Sequence, residues 1–387
     1  MLLHKTGLGF AIKRLLLLPL LLLLQGAAAQ SVTINGLVVD AATNKPLVNA
    51  SVFINGTSRG TVTDAQGNFQ LVPAAAASYE IIVSYVGYTT VQFITKPGEL
   101  ARKFRFELAE QEAAAKDVVV EPDVKDGWNK WGRTFLQSFI GQSELADRCT
   151  LRNPEVLRFK YSSKTRKLQV IARDALQIDN DGLGYHIRYQ LEQFEIDNRS
   201  GMTFFLGYQF YTPYDTKRER KENKYKAARR EAYNGSLLHY IRSAYNHNLA
   251  QDGFETRLLK KVEQIDSSLV NGHYVYRTKK YDLLDKNILA DSVFIKTDSG
   301  GTHQFLVFED YLDVTYLKEN EKPAYVATQY PIRKPYHPIS QLWLVNRRPV
   351  QIEANGLFFD PLDLFTLGYW GWEKLAETVP TDYEPGD

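Results

Sequence analysis

The sequence predicts an N-terminal all-β sandwich, followed by an α+β domain with a mainly antiparallel sheet. Three observations carry this. From Val32 to Leu108 short apolar runs alternate with turn residues at intervals too short for any helix. From Leu157 to Phe210 the apolar residues recur at every second position, as in strands with one wet face. At Trp128–Ile140 and Lys217–Leu249 the apolar spacing widens to three and four, the period of a helix. Across 387 residues, 44% hydrophobic, 24% charged and 12% aromatic side chains exclude a disordered or collagen-like chain.

The front of the chain reads as an export signal. Lys5, Lys13 and Arg14 precede an apolar run, Leu15–Leu24, broken only by Pro19 and followed by Gly26-Ala27-Ala28-Ala29. This is the layout of a secretory signal peptide at 1–29, cut after Ala29 or Gln30. The apolar core is about half the ~20 residues that a membrane-spanning helix needs. No cysteine stands at the cut to carry a lipid, and the mature chain is expected to have no transmembrane segment. The formal net charge of +2 turns slightly negative once the three leader cations are removed, so nucleic acid is not an expected partner. Cys149 is the one cysteine and cannot form an intramolecular disulfide. With Asp147 and Arg148 before it and no histidine beside it, it reads as a bystander thiol.

Within 30–110 the expected strands are Val32–Asp40, Ala50–Asn55, Gly60–Thr63, Phe69–Val72, Tyr79–Tyr85, Thr90–Ile94 and Phe104–Leu108. In the turn after Gly60–Thr63 the Asp64 carboxylate can accept from backbone amides just ahead, Gly67 takes the left-handed position, and Phe69 points inward. The segments Gly36-Leu-Val-Val-Asp40, Pro46-Leu47, Ala50-Ser-Val-Phe-Ile54, Gly56-Thr57, Gly60-Thr-Val-Thr-Asp64, Gly67-Asn-Phe69 and Val83-Ser-Tyr-Val-Gly87-Tyr88 resemble the carboxypeptidase-like regulatory domain, a transthyretin-like sandwich. The resemblance implies a non-catalytic module of the kind found beside metallocarboxypeptidase domains and at the front of TonB-dependent outer-membrane receptors of glycan-utilising Gram-negative bacteria. The Ser-Tyr-Val-Gly-Tyr form and the trailing Asp117-Val-Val-Val120 look more like the receptor-associated version. An exported location follows from it: periplasmic, outer-membrane-associated or extracellular. Gly56-Thr57-Ser58-Arg59-Gly60 fits the nucleophile pattern of hydrolases, but that pattern needs a strand-to-helix elbow and a strand follows here, so Ser58 reads as a hairpin residue.

Residues 111–125 read as a linker, with Glu112-Ala-Ala-Ala-Lys116 as its alanine-rich part, and 126–387 as an α+β domain of unknown function. A receptor barrel is excluded by size, since about 22 strands of ~10 residues plus a plug exceed what remains. Asp126 can cap a helix whose stripe is Trp128, Trp131, Phe135, Phe139 and Ile140, and core packing is a commoner use of such a stripe than stacking on a sugar. Asp179-Asn180-Asp181-Gly182 is a turn that lacks the other ligands of a calcium loop. The helical stretch Lys217–Leu249, which Asn234-Gly235 bends or splits, carries eight Lys/Arg between Lys217 and Arg230. Lys217, Arg218, Lys221 and Lys224 are its candidate contacts to an anionic surface, a peripheral membrane contact, and the competing reading is a solvated helix face. After Gly253 strands are expected at Val270–Arg277, Ser292–Thr297, Thr302–Phe308, Leu342–Val345 and Pro349–Glu353, then a short helix near Tyr369–Ala376 with Trp370 or Trp372 against the sheet, and a loose tail at 382–387.

The chemistry is sparse. His186, His239, His247, His273, His303 and His337 are scattered and none begins His-x-x-Glu, so the metallocarboxypeptidase ligand set is missing. Phosphate loops and dinucleotide fingerprints are also missing, and no cofactor, metal ligand or catalytic residue is assigned. Glu192/Glu195 and Asp360/Asp363 are the paired carboxylates that sugar hydrolysis could use, although on an alternating strand Glu192 and Glu195 would face opposite sides. The expectation is an exported, non-catalytic envelope protein acting in binding or assembly at the cell surface, with another envelope protein or a glycan as partner. The alternative is a secreted, glycan-directed hydrolase with its carboxylates in the second domain.

Overall fold

Burial alternates residue by residue along Lys103–Leu108, with the lysine, arginine and glutamate exposed and Phe104, Phe106 and Leu108 buried. Asn68–Leu71 follows the same alternation, whereas Ser51–Ile54 and Tyr79–Val83 are buried on both faces. The computed structural model describes residues 33–73, 78–95, 102–111, 122–271, 273–329, 331 and 333–386. The expected signal peptide 1–29 and most of the linker, Val118–Val120 included, lie outside these. Seven strands appear, each within two residues of its expected ends: β1 Ile34–Asp40, β2 Ser51–Ile54, β3 Gly60–Val62, β4 Asn68–Leu71, β5 Tyr79–Ser84, β6 Val91–Thr95 and β7 Lys103–Leu108. One sheet runs β4-β1-β7, with β7 parallel to β1, and the other β3-β2-β5-β6. They close on Ile34, Val38, Val52, Ile54, Phe69, Ile81, Val83, Phe104 and Phe106.

In the turn before β4, Asp64 accepts from the amides of Gln66 at 2.9 Å and Asn68 at 2.8 Å. Gly67 has φ +77° there, and a Cβ on it would stand 2.7 Å from the Val38 carbonyl oxygen. Gly67→Val therefore combines positive-φ strain with a backbone clash and lowers stability by about 2 kcal/mol or more in urea unfolding. Gly87 also has positive φ, +84°, but faces open space. Gly87→Ala meets the strain alone and is the milder change.

Behind the linker, helix α1, Gly127–Phe139, lays Phe135 and Phe139 on a sheet made of β8 Cys149–Leu151, β9 Leu157–Ser162, β10 Lys167–Ala172, β11 Leu176–Asn180, β12 Tyr185–Asp197 and β13 Met202–Pro213. Asp126 holds the N-cap position, but its carboxylate accepts from the Asn129 side chain at 2.7 Å and makes no cap to the backbone. Strand β12 is the spine: β13 pairs along its full length on one edge, while β11 and β10 share the other. The expected helix 217–249 is two main helices, α2 Glu219–Tyr233 and α3 Leu237–Tyr245. Gly235, at φ +69°, breaks them apart, and Ser236 starts α3 by accepting from the His239 amide at 3.2 Å.

From α3 onward a separate core forms. One sheet orders β15 His273–Leu284, β14 Phe254–Val270, β18 Tyr311–Tyr316, β19 Ile339–Leu344 and β22 Leu364–Gly368, and the other β16 Ile295–Thr297, β17 Gln304–Leu306, β20 Val350–Ile352 and β21 Phe358–Phe359. Between them lie Tyr240, Ile241 and Trp370, the last from the one-turn helix α4, Tyr369–Trp372. The stretch 126–387, read from the sequence as one domain, thus holds two buried clusters, and Leu375, Ala376, Val379 and Tyr383 return to the first of them.

Three expectations change here. The expected strand Val270–Arg277 instead straddles the turn of a long hairpin, β14–β15, whose strands are 17 and 12 residues, and which pairs with β18 only over Phe254–Leu259 and then projects as a two-stranded arm. Ser292–Phe294 belongs to a helical turn, and the strand begins at Ile295. The tail is not loose at Asp382 and Tyr383, because both are buried against other elements. No described helix is long and apolar enough to cross a membrane.

Candidate functional site

The β2–β3 turn, which holds Gly56-Thr57-Ser58-Arg59, is stitched into the rest of the protein. Gly56 donates its amide to Gln209 at 2.8 Å, Tyr211 donates to Thr57 at 3.0 Å, and Thr381 donates to Gly56 at 2.7 Å. Ser58 donates its amide and its hydroxyl to Asp382 at 2.9 and 2.6 Å, and Arg59 adds Nε at 3.2 Å. The hydroxyl thus serves a carboxylate that is 5% exposed, with no imidazole beside it. Ser58 is a hairpin residue, as expected, but it is also a docking residue. Ser58→Ala lowers stability by about 1–2 kcal/mol, read from the urea midpoint, because a charge-assisted hydrogen bond at a buried carboxylate is lost.

Beside this seam the surfaces part to leave a cavity of about 840 Å³. The sandwich contributes Asn55, Glu80, Gln92 and Phe93; β13 contributes Leu206, Tyr208 and Gln209; α3 contributes Leu237 and Leu238. The loop Leu357–Leu362 and the C-terminal residues Trp370, Glu373, Glu377 and Val379 close it. Glu80, 8% exposed, accepts from Asn55 Nδ2 at 2.6 Å and from Gln92 Nε2, and burial pushes its carboxyl above the usual range. Burial, with Glu377 next to it, pushes Glu373 well above that range. Glu377 is 4% exposed; Oε2 accepts from Lys322 Nζ at 2.6 Å, while Oε1 is buried with no partner. An apolar cavity with elevated carboxyls can hold a polar head group, or can offer a proton.

None of Glu80, Glu373 and Glu377 was singled out from the sequence. One signal was present: Glu80 is a charged residue inside an otherwise apolar strand, Tyr79-Glu-Ile-Ile-Val83. The paired carboxylates that were singled out do not form a pair of matched groups. A bulge between Leu191 and Gln193 shifts the register of β12, so Leu191 and Phe194 both face the core and Glu192 and Glu195 both face outward. They share a face, contrary to the expectation from strict alternation. Glu195 is held by Lys167 at 2.6 Å and Gln169 at 3.2 Å, whereas Glu192 is hydrogen-bonded by Thr90. Asp360 touches the cavity rim and caps the Leu362 amide at 3.2 Å; Asp363 pairs with Arg348 at 3.5 Å.

Lys217, Arg218, Lys221 and Lys224 are all exposed. Lys221 lies over the rings of Tyr214 and Tyr225, and the buried stripe of α2 is Tyr225, Arg229, Ala232 and Tyr233. Arg229 is the basic residue of this stretch with structural work, donating to Leu183 O at 2.8 Å and Gly184 O at 3.0 Å. Changing Lys217, Arg218, Lys221 and Lys224 together to Gln leaves the urea midpoint and sedimentation with anionic vesicles unchanged, since exposed charges contribute little. Salt-sensitive sedimentation that vanishes in this variant would establish a membrane contact.

Trp131 stacks on Tyr161 with centroids 5.2 Å apart, and both are partly buried and packed against the core. Asn180 uses its buried amide to cap the Gly182 and Leu183 amides and to donate to Ala376 O at 3.1 Å, so its turn anchors the C-terminal segment. The Cys149 thiol touches Leu145 O at 3.4 Å, and burial pushes it up to about 12. Among the described residues no group of three or more His, Cys, Asp or Glu side chains could hold a metal ion.

Residues 34–120 match the family model of the CarboxypepD_reg-like domain. A stretch of 62 residues, 16% of this chain, is 45% identical to the TonB-dependent receptor SusC of Bacteroides thetaiotaomicron and spans 6% of that receptor. Among solved structures, a Bacteroides fragilis protein of unknown function is matched over 83% of this chain and 93% of its own, at 10% identity and a TM-score of 0.17. A 9R-lipoxygenase from Cyanothece is matched over 55% of this chain and 48% of its own, at 12% identity and a TM-score of 0.15. The resemblance carried by the motifs from Gly36 to Tyr88 is the one these comparisons show.

Proposed function

We propose that this protein is an exported bacterial envelope protein that works by binding, and that the CarboxypepD_reg-like module acts in it as one wall of a ligand cavity. The observation that carries this reading is joint construction. Glu80 and Gln92 of the module, Leu206 of β13 and Glu377 of the C-terminal segment line the same space, and the stitched β2–β3 turn holds the parts in register. The match to a short stretch of SusC supports an envelope setting, and the family of the module is non-catalytic. Native mass spectrometry of full-length protein taken from the producing cell's envelope tests it. The expected result is a bound small molecule that a cavity-filling Leu206→Trp variant lacks. A stoichiometric protein partner with an empty cavity would replace ligand binding with assembly.

A second reading, a glycan-directed hydrolase, draws on the same carboxyls, because Glu373 is elevated as a general acid needs and Glu80 shares its cavity. Against it, Glu377 is tied to Lys322 and the walls are mostly apolar. Release of reducing ends from a polysaccharide that Glu373→Gln abolishes would carry this second reading.

A further inference from the structure

We infer that the far end of the β14–β15 arm is a docking tip that seats in the head-group region of an anionic lipid surface. From Ser267 to Tyr276 the chain runs Ser-Ser-Leu-Val-Asn-Gly-His-Tyr-Val-Tyr, with no Lys, Arg, Asp or Glu. The pairing register sets Leu269 opposite Tyr274, Ser267 opposite Tyr276 and Ile265 opposite Thr278, so Ile265, Leu269, Tyr274 and Tyr276 share one face. Each of these four is between 64 and 69% exposed. Left in water together, they forgo the gain that a covering apolar medium would return.

What covers this face is set by how charge is laid out along the arm. The charge-free tip is about 13 Å long at the usual rise of a strand. Behind it, over 260–266 and 277–283, Lys260, Lys261, Arg277, Lys279 and Lys280 stand against Glu263, Asp266 and Asp282, an excess of two cations on a chain that is slightly negative without its leader. Lys279 pairs with Asp266 at 2.7 Å and Lys280 with Glu263 at 2.6 Å, while Arg277 is exposed beside them. A tyrosine-rich apolar end with a cationic collar suits a lipid interface, where a phenol bridges acyl chain and head group and the cations meet phosphate. Beyond Leu259 the outer edges of both strands are open. Their backbone groups need water or head groups, which holds the tip at the interface and out of the hydrocarbon.

A second copy of this chain fits the tip less well. The four side chains together expose on the order of 500 Å², against the about 800 Å² that each partner brings to a stable interface. Charged residues begin on both faces behind them, at Asp266 and Arg277 on one and at Glu263 and Lys280 on the other, so a longer overlap would bury charge. The exposed cations at the head of α2 have no apolar residue among them from Lys217 to Lys224, so the arm makes the lipid contact and α2 does not.

Cosedimentation of the protein purified from the producing cell with vesicles of phosphatidylglycerol and phosphatidylethanolamine, or of phosphatidylcholine alone, tests this. Binding to the anionic vesicles is expected to be at least tenfold tighter than to the neutral ones and to weaken with added salt. Changing Leu269, Tyr274 and Tyr276 together to Ser is expected to cost at least tenfold in that binding with the urea midpoint unchanged, because all three are exposed. Arg277→Gln with Lys279→Gln is expected to remove the preference for anionic lipid, since it cancels the excess of two cations. Tyr276→Trp, which keeps an aromatic ring at the tip, is expected to bind as the wild type does and to gain fluorescence quenching by acyl-brominated lipid. Equal binding to both kinds of vesicle, binding to neither, binding that the triple Ser variant keeps, or no added quenching at Trp in place of Tyr276 would overturn the inference. A dimer in sedimentation velocity that the triple Ser variant dissociates would also overturn it, because the face would then belong to a second copy.

Discussion

Arg242→Met lowers the stability of the protein by about 3–5 kcal/mol, the range seen when one member of a buried charged network is removed. Arg242 sits on α3 and is 8% exposed. Its Nε donates to Asn355 O at 3.1 Å, Nη1 to Tyr383 O at 2.9 Å and Nη2 to Thr381 O at 2.9 Å, with Glu384 at 3.5 Å and the Tyr233 ring beneath. Only a planar fork of donors reaches three carbonyls at once, so Arg242→Lys does not rescue. The loss spreads, because the same tail presents Asp382 to Ser58 and Arg59 on the sandwich. Urea unfolding measures the stability, and protease cleavage of the tail under native conditions reports its release. A change of less than ~1 kcal/mol would show that the tail is held by its apolar residues alone.

Phe139→Ala has an effect of similar size, about 3–5 kcal/mol, through a cavity in the core rather than through unmet polar groups. Phe139 is 0% exposed. Its ring stands 5.2 Å from Phe135, 4.8 Å from Tyr189 and 5.3 Å from Phe205, joining α1 to both β12 and β13. No neighbour can collapse into the space without leaving another ring unpacked. Phe139→Leu keeps most of the volume and loses about 1.5 kcal/mol or less. Thermal unfolding followed in the near ultraviolet reads both changes through the aromatic cluster itself.

The sandwich was legible because two independent signals agree in it. Short apolar runs set the strands, alternating in β4 and β7 and buried on both faces in β2 and β5, and Asp64-Ala65-Gln66-Gly67 or Asn55-Gly56 sets the turns between them. In β14 and β15 the first signal is missing, since the arm has two wet faces and no reason to alternate, and its true length was invisible. The orientation of Glu195 was lost for another reason. A one-residue bulge reverses every side chain after it, and nothing in Leu191-Glu192-Gln193 marks the bulge. The cavity is the least legible part, because Glu80, Leu206 and Glu377 come together only through tertiary docking. A docking turn that looked like a catalytic motif, around Ser58, shows how little a short pattern says without its neighbours.

Strand β14 carries two stabilities on one backbone. Its first six residues lie between β15 and β18 or beside β18 inside a five-stranded sheet, whereas Lys260–Val270 are bonded to β15 alone. Those eleven residues reach about 35 Å at the usual rise of a strand, and Ile265 and Leu269 on them, with Tyr274 and Tyr276 on the facing β15, are more than half exposed. A free two-stranded ribbon is marginal in water, so its opening free energy is far below that of the sheet it grows from. Amide hydrogens of the arm accordingly exchange with solvent deuterium orders of magnitude faster than the protected amides of Phe254–Leu259, which are released only when the sheet itself opens. The step in protection falls between Leu259 and Lys260, where the pairing with β18 ends.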